Sequence, residues 1–350
     1  MPASAEIQKF KGTPGQIRRQ RIERVGAISI TLILAVWIGV NVIKYPEQFA
    51  QVAVLGLRNG LLYALIALGY TLVYGIIELI NFAHGDLFML SAVFSSYFIT
   101  VWFKQESSNP TGWLTFLACL FAVMVFGAVI NVLIERLAYR RLRHAPKLAP
   151  LITAVGMSFL LNFIGLKWNG STPRQWPTVI PNNDIYIHGV RINMITILLF
   201  LVGIPLLIGL NFIVTKTKNG KAMRATAQDK DAATLMGINV NKTIAFTFAL
   251  GGAMAGAAGL LYQQSIGTTN YNLGFQLGLI AFTSAVLGGI GNLWGAVVGA
   301  LLIGLIQGLN DGLPIAFGQQ WSQSVVFTIL IIILVFKPAG LLGKVVTEKV

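Results

Sequence analysis

Apolar runs, each about as long as a helix needs to cross some 30 Å of hydrocarbon, recur along this chain with short polar breaks between them. They lie near residues 25–43, 52–77, 87–103, 113–135, 149–168, 192–215, 243–263, 275–290, 293–309 and 321–336. The pattern predicts an all-α, polytopic integral membrane protein with about 10 transmembrane helices, in a range of 8–11 set by the shorter runs. Only Gly291 and Asn292 separate the eighth and ninth runs, which form either a tight hairpin or a partly re-entrant pair. The implied organisation is a tail over 1–24, a single transmembrane domain over 25–343 with a polar insert at 216–242, and a second tail over 344–350.

Composition agrees with the bilayer as solvent: 55% of residues are hydrophobic, 11% are charged and the mean hydropathy is +0.72. A net charge of +14 in a soluble chain would point to nucleic acid, but here the placement of the charges decides. Segments 1–24, 136–147, 216–242 and 337–350 hold 20 of the 26 Lys and Arg residues. Ten crossings put all four on one side, so the positive-inside rule makes both termini and the 216–242 insert cytoplasmic. The opposite face carries short loops and one longer loop, about 169–190. The first basic stretch and span lack a small-residue cleavage site and read as a retained helix. Cys119 is the single cysteine, sits in an apolar stretch and has no intrachain partner.

Span 2 carries a polar stripe. On a helical wheel Asn59, Tyr63, Tyr70, Tyr74 and Asn81 fall within about 60° of one another, with Leu61, Leu65, Leu68, Leu72 and Leu79 opposite, a face suited to lipid. Polar groups in hydrocarbon face protein or a water-filled cavity, so the stripe is either a substrate-pathway lining or a helix contact through tyrosine hydroxyls. The span then runs into Ile80-Asn81-Phe82-Ala83-His84-Gly85-Asp86. His84, Gly85 and Asp86 are candidates for a cytoplasmic gate or turn, with Asp86 as N-cap of span 3 the plainer assignment. A lone His beside an Asp lacks the remaining ligands of a metal site, and no metal or other cofactor is expected on this chain. All twelve acidic residues read as lying in tails, loops or span ends, which argues against proton coupling. Glycines four apart, Gly252 with Gly256 and Gly291 with Gly295 and Gly299, predict close helix packing. No P-loop or dinucleotide fingerprint stands in a usable context, so any ATP binds elsewhere.

The insert at 216–242 has defined ends. Asn219-Gly220 is a turn signal, Lys221 to Met236 reads as one helix and Gly237 is its stop. Ala225, Asp229, Ala232 and Met236 form a lightly built face that fits a partner's groove, with an ordinary solvated loop as the alternative.

Four blocks together carry a resemblance: LLYALIALGYTLVYGIIELINFAHGDLFML (61–90), RATAQDKDAATLMGINVNKTIAFTFALGGAMAGAAGLL (224–261), AFTSAVLGGIGNLWGAVVG (281–299) and KPAGLLG (337–343). They resemble the branched-chain amino acid permease family of ABC importers, from about residue 51 to the C-terminus. Of its two permease subtypes, the chain is more similar to the one ending in this Lys-Pro-Ala-Gly-Leu-Leu-Gly pattern with a Glu-Lys-Val terminus. The first 50 residues depart from shorter members by a basic tail and a span. The resemblance implies a multi-pass prokaryotic inner-membrane permease, without enzyme activity of its own, that moves branched-chain or related hydrophobic amino acids. It implies a sister permease (a heterodimer, with a homodimer as alternative), two cytosolic ATPase subunits that bind ATP and Mg, and an extracytoplasmic solute-binding protein. Arg224, Ala225, Asp229, Ala232, Leu235 and Gly237 correspond to the family's ATPase-coupling region. The alternatives are a urea or amide ABC permease and an ion-gradient-driven secondary transporter.

Overall fold

The computed structural model describes residues 36–104, 112–143, 145–146, 148–177, 179–181, 183–187 and 189–343. The first predicted span lies mostly outside these residues, as do the tails 1–24 and 344–350; residues 36–44 are helical. The long helices are α1 (Pro46–Ile77), α2 (Ala83–Tyr97, continued by a π turn over Phe98–Trp102), α3 (Gly112–Ile134, extended through Glu135–Tyr139 and Arg140–Leu142) and α4 (Leu148–Asn169). The outer loop follows with β1 (Arg174–Gln175), β2 (Asp184–Ile187) and β3 (Val190–Asn193), then α5 (Met194–Lys216). The insert contains α6 (Lys218–Gln228) and α7 (Lys230–Leu235). After it come α8 (Val240–Ile266), β4 (Thr268–Thr269), α9 (Leu273–Gly288), α10 (Leu293–Gly312) and α11 (Ser322–Phe336, entered by a 3-10 turn over Gln319–Trp321). Eight of the described helical segments are long and apolar enough to cross a membrane, and α9 is apolar but shorter. The protein is an all-α polytopic membrane protein.

The ends of the bundle separate cleanly. At one end Arg143 donates to Asn241 Oδ1 (2.6 Å), joining the 136–143 basic segment to the insert. The tail docks at this end, with Leu341 N–H on Leu287 O (2.8 Å) and Leu342 N–H on Gly288 O (2.9 Å). At the other end β1 pairs with β4, and Gln51 binds the backbone of Arg191 beside the β2–β3 hairpin. Among the described residues, the 136–143 segment, the insert and the start of the tail thus share one end.

The core is α1. Helix α10 lies against it along its length, with α8, α9 and α5 on its other sides, so 89% of its most apolar window is buried. The leucine face expected to meet lipid is therefore interior: Leu61, Leu65, Leu68 and Leu72 are all buried, and Leu61 presses on Gly203 of α5. Composition of a face does not distinguish lipid from apolar protein, because both are equally greasy. Contact with α10 runs through glycines on both sides. A Cβ on Gly60 would meet Leu301 Cα at 2.8 Å and Ala300 O at 2.9 Å, and one on Gly56 would meet Gly304 O at 2.9 Å. Removing the side chains lets the two backbones touch, which in a bilayer replaces the missing hydrophobic drive with close packing.

The glycines marked in the sequence divide by role. Gly252 and Gly256 of α8 seat against the α3 backbone at Gly127 and Val123. Gly295 and Gly299 of α10 seat against Gly288 and Ser284 of α9. Gly291 does not pack: it has φ +88° and nothing within 4 Å of a would-be Cβ, so it is a turn residue. The α9–α10 connection is a tight hairpin, with the Asn292 side chain accepting from Gly295 N–H (3.1 Å).

The insert is not one helix from Lys221 to Met236. Asp229 adopts φ −160°, ψ 116° and ends α6, and its carboxylate accepts from Asp231 and Ala232 N–H (2.9 Å each) to start α7. An internal Asp that can cap competes with helix continuation, and here the cap wins. Gly237 closes α7 in the left-handed region at φ +80°.

Candidate functional site

The polar stripe of α1 breaks up in three dimensions. Asn59 is half-buried and accepts a long hydrogen bond from Arg58 (3.5 Å). Tyr63 turns to α10, where its hydroxyl donates to Gln307 Oε1 (2.8 Å). Tyr70 lies edge-on to His84 (4.9 Å) and to Phe282 of α9 (6.0 Å). Tyr70 and Tyr74 line a cavity with Thr71, Ile80 and Phe282, of about 10 Å³, room for about one water. Asn81 is off the helix altogether, because Glu78 takes φ 57° and ends α1. Its Oδ1 accepts from the Tyr139 hydroxyl (2.8 Å) at the end of α3. As positioned, Tyr63 and Asn81 tie helices together through their side chains. Tyr63→Phe is expected to lower the thermal midpoint, consistent with losing about 1 kcal/mol for one hydrogen bond, and to leave uptake within twofold of wild type; a fluorescence melt and an uptake assay read the two effects.

The His84-Gly85-Asp86 segment is not a cytoplasmic turn. Helix α2 begins at Ala83, so all three residues are helical, and Asp86 is not its N-cap. Gly85 packs against α9, where a Cβ would meet Gly278 Cα at 2.8 Å. Asp86 is 1% exposed and accepts from the Ser158 hydroxyl of α4. Ser158 lies ten residues past Leu148 and eleven before Asn169, about 15 Å from either end of α4 at 1.5 Å per residue. Asp86 therefore stands level with the middle of α4, a helix long enough to span, and not at the span end where the sequence put it. The break at 78–82 is folded back into the bundle, so a residue few positions from a loop in sequence is deep in space.

Sequence reasoning also passed over a cluster at the end that carries the insert. Glu135 is fully buried and is held by Arg140 (3.1 and 3.2 Å) and by Arg143, whose other nitrogen reaches Asn241. Burial lowers the Arg143 pKa and the Glu135 charge beside it acts in the opposite direction. The signal was present as one acid followed by arginines at the fifth and eighth positions. Through Asn241 the cluster connects α3 to the start of α8, and it lines a small cavity with Ile244 and Lys230. At the outer end the loop folds Trp176 inward, its indole donating to Gln264 (3.0 Å), with Val179 and Ile180 fully buried.

The ATPase-coupling candidates are displayed at the surface. Arg224 donates to the Val214 carbonyl of α5, and Ala225 is half-buried. Asp229, Ala232 and Gly237 are exposed, and Leu235 and Met236 are 89% and 81% exposed. Two large apolar side chains thus stand exposed at the end of a helix capped by Asp229.

Comparison with known proteins agrees with this architecture. Residues 52–335 match the family described as branched-chain amino acid transport system / permease component. The chain is 39% identical over 311 residues to the high-affinity branched-chain amino acid transport system permease protein BraD of Pseudomonas aeruginosa, covering 87% of this chain and 100% of BraD. It is 37% identical over 307 residues to the corresponding protein LivH of Escherichia coli strain K12, covering 86% and 98%. A shorter likeness, 28% over 193 residues, reaches the xylose transport system permease protein XylH of the same organism. No solved structure matches. On the family match and on the near-complete coverage of BraD and LivH, this chain belongs to the branched-chain amino acid transport system permease family.

Proposed function

We propose that the chain is the transmembrane permease of an ATP-driven importer for branched-chain amino acids in the prokaryotic plasma membrane, without catalytic activity of its own. The name and full-length coverage of BraD and LivH support the substrate class. The observation that carries the mode of action is α7: a capped cytoplasmic helix whose Leu235 and Met236 stand free of the bundle. Cytosolic ATPase subunits seat this helix in a groove, and their closure on ATP moves α6 and α7 together. Helix α6 hands the motion to α5, which it packs against, and α7 hands it to α8. The Glu135 cluster, bonded to Asn241 beside the start of α8, carries it to α3 and, through Tyr139, to Asn81 and the break after α1. A sister permease completes the pore and an extracytoplasmic binding protein delivers the solute. ATP and Mg stay on the ATPases.

Co-expression with the neighbouring transport genes and reconstitution of the purified complex into proteoliposomes tests the reading. ATP-dependent leucine accumulation is expected. Leucine uptake by this chain without ATPases would overturn it, and ATP-dependent uptake of urea in place of leucine would reassign the substrate.

A further inference from the structure

Asp86 is buried level with the middle of α4, and one of its carboxylate oxygens lacks a well-placed donor. Oδ2 accepts from Ser158 and the Asn162 amide stands close by, bonded to Tyr271 O (3.2 Å), while Oδ1 has no donor in hydrogen-bonding geometry and faces the first turn of α9 closely enough that a Cβ on Gly274 would lie 2.6 Å away. Were Asp86 only a cap for α9, the amides of that turn would donate to Oδ1, and they do not. Beside it His84 is 0% exposed with both ring nitrogens unpaired, one facing the Ile66 carbonyl outside hydrogen-bonding geometry. An acid in hydrocarbon with an open acceptor is costly to keep, and such residues mark pathways for polar cargo.

The surroundings specify the cargo. Helix α9 has 16 residues, about 24 Å at 1.5 Å per residue, so it starts inside a 30 Å core rather than at its surface. Its N-terminal amides are a site for an anionic group, as at the half-helices of transporters. Gly274 and Gly278 carry no side chain, so Gly85 and Asp86 lie directly against that backbone, and the Tyr70 and Phe282 rings stand beside it. A carboxylate acceptor for a cation, helix amides for an anion and aromatic rings close by match a zwitterion with an aliphatic side chain.

We propose that Asp86 receives the ammonium group of the transported amino acid and the first turn of α9 its carboxylate. Ser158 occupies Asp86 in the arrangement seen, and the Gly85 contact with Gly274 and Gly278 covers the site until α9 withdraws from α2. The assignment rests on the amino-acid importer reading and adds the place where the solute pauses.

Asp86→Asn keeps the size and the acceptor for Ser158 but removes the charge, so a structural role survives it and an ammonium site does not. In proteoliposomes of the complete transporter, Asp86→Asn should assemble and melt like wild type and accumulate leucine at under a tenth of its rate, with Asp86→Glu recovering part. Independently of any variant, leucine carrying a side-chain diazirine, irradiated during ATP-driven uptake by the wild-type complex, should label residues within 70–89, 158–162 or 271–282. Label confined to other segments overturns the site, as does Asp86→Asn uptake above half of wild type while wild-type uptake is normal. Absence of wild-type leucine uptake overturns the functional reading beneath it.

Discussion

Gly304→Leu is expected to destabilise the bundle more than any comparable change in a lipid-facing glycine. A Cβ at this position would run into the Gly60 backbone and lie 2.6 Å from Gly56 O, and neither neighbour is a flexible side chain that can swing away. Overpacking typically costs ~1–3 kcal/mol where side chains can adjust, and more where they cannot. Two backbones must separate along the contact that holds the central helix, so loss of the folded peak in fluorescence-detected size exclusion is the expected outcome. Gly156→Leu on α4 is the control, because nothing lies within 4 Å of its would-be Cβ. Equal stability of the two variants would mean that the α1–α10 contact does not hold the fold.

Leu235→Asp with Met236→Asp should have the opposite character: a folded permease that no longer works. Neither side chain supports the bundle, being 89% and 81% exposed. Burying a large apolar side chain in a partner is worth roughly 1.5–3 kcal/mol, so losing both weakens ATPase binding by about a hundredfold or more. Substrate-stimulated ATP hydrolysis and co-purification of the ATPases should fall together, with the melt unchanged. Gly237→Pro should act the same way, since a proline locked near φ −65° cannot take the +80° that closes α7. Stimulated hydrolysis persisting in both variants would remove α7 from the coupling route.

The spans were legible because hydrocarbon imposes one length and one composition on every crossing, and the described helices fall where the apolar runs lie. Their neighbours were not. The leucine face of α1 is as apolar as a lipid-facing one, and only the glycine pairs at Gly56–Gly60 and Gly304–Gly308 hinted that it is surrounded. Asp86 was misplaced for a related reason: sequence distance from a polar break says nothing of depth once that break is folded inward. The polar insert at 216–242 was legible by its charge and end signals, yet its division at Asp229 turned on one carboxylate choosing two backbone amides over solvent. The Tyr63 and Asn81 partners, Gln307 and Tyr139, lie 244 and 58 residues away, a pairing no local pattern encodes.

That same separation has a consequence for biogenesis. Gly60 is synthesised 244 residues before Gly304, its counterpart in the α1–α10 contact. At roughly 5–20 residues per second, α1 waits on the order of 10–50 s in the bilayer before the helix that fits its groove exists. The tail that pins the α9–α10 turn emerges later still. Insertion and assembly are thus distinct stages, and the central helix spends the interval with its backbone groove open to lipids, insertase or a wrong helix.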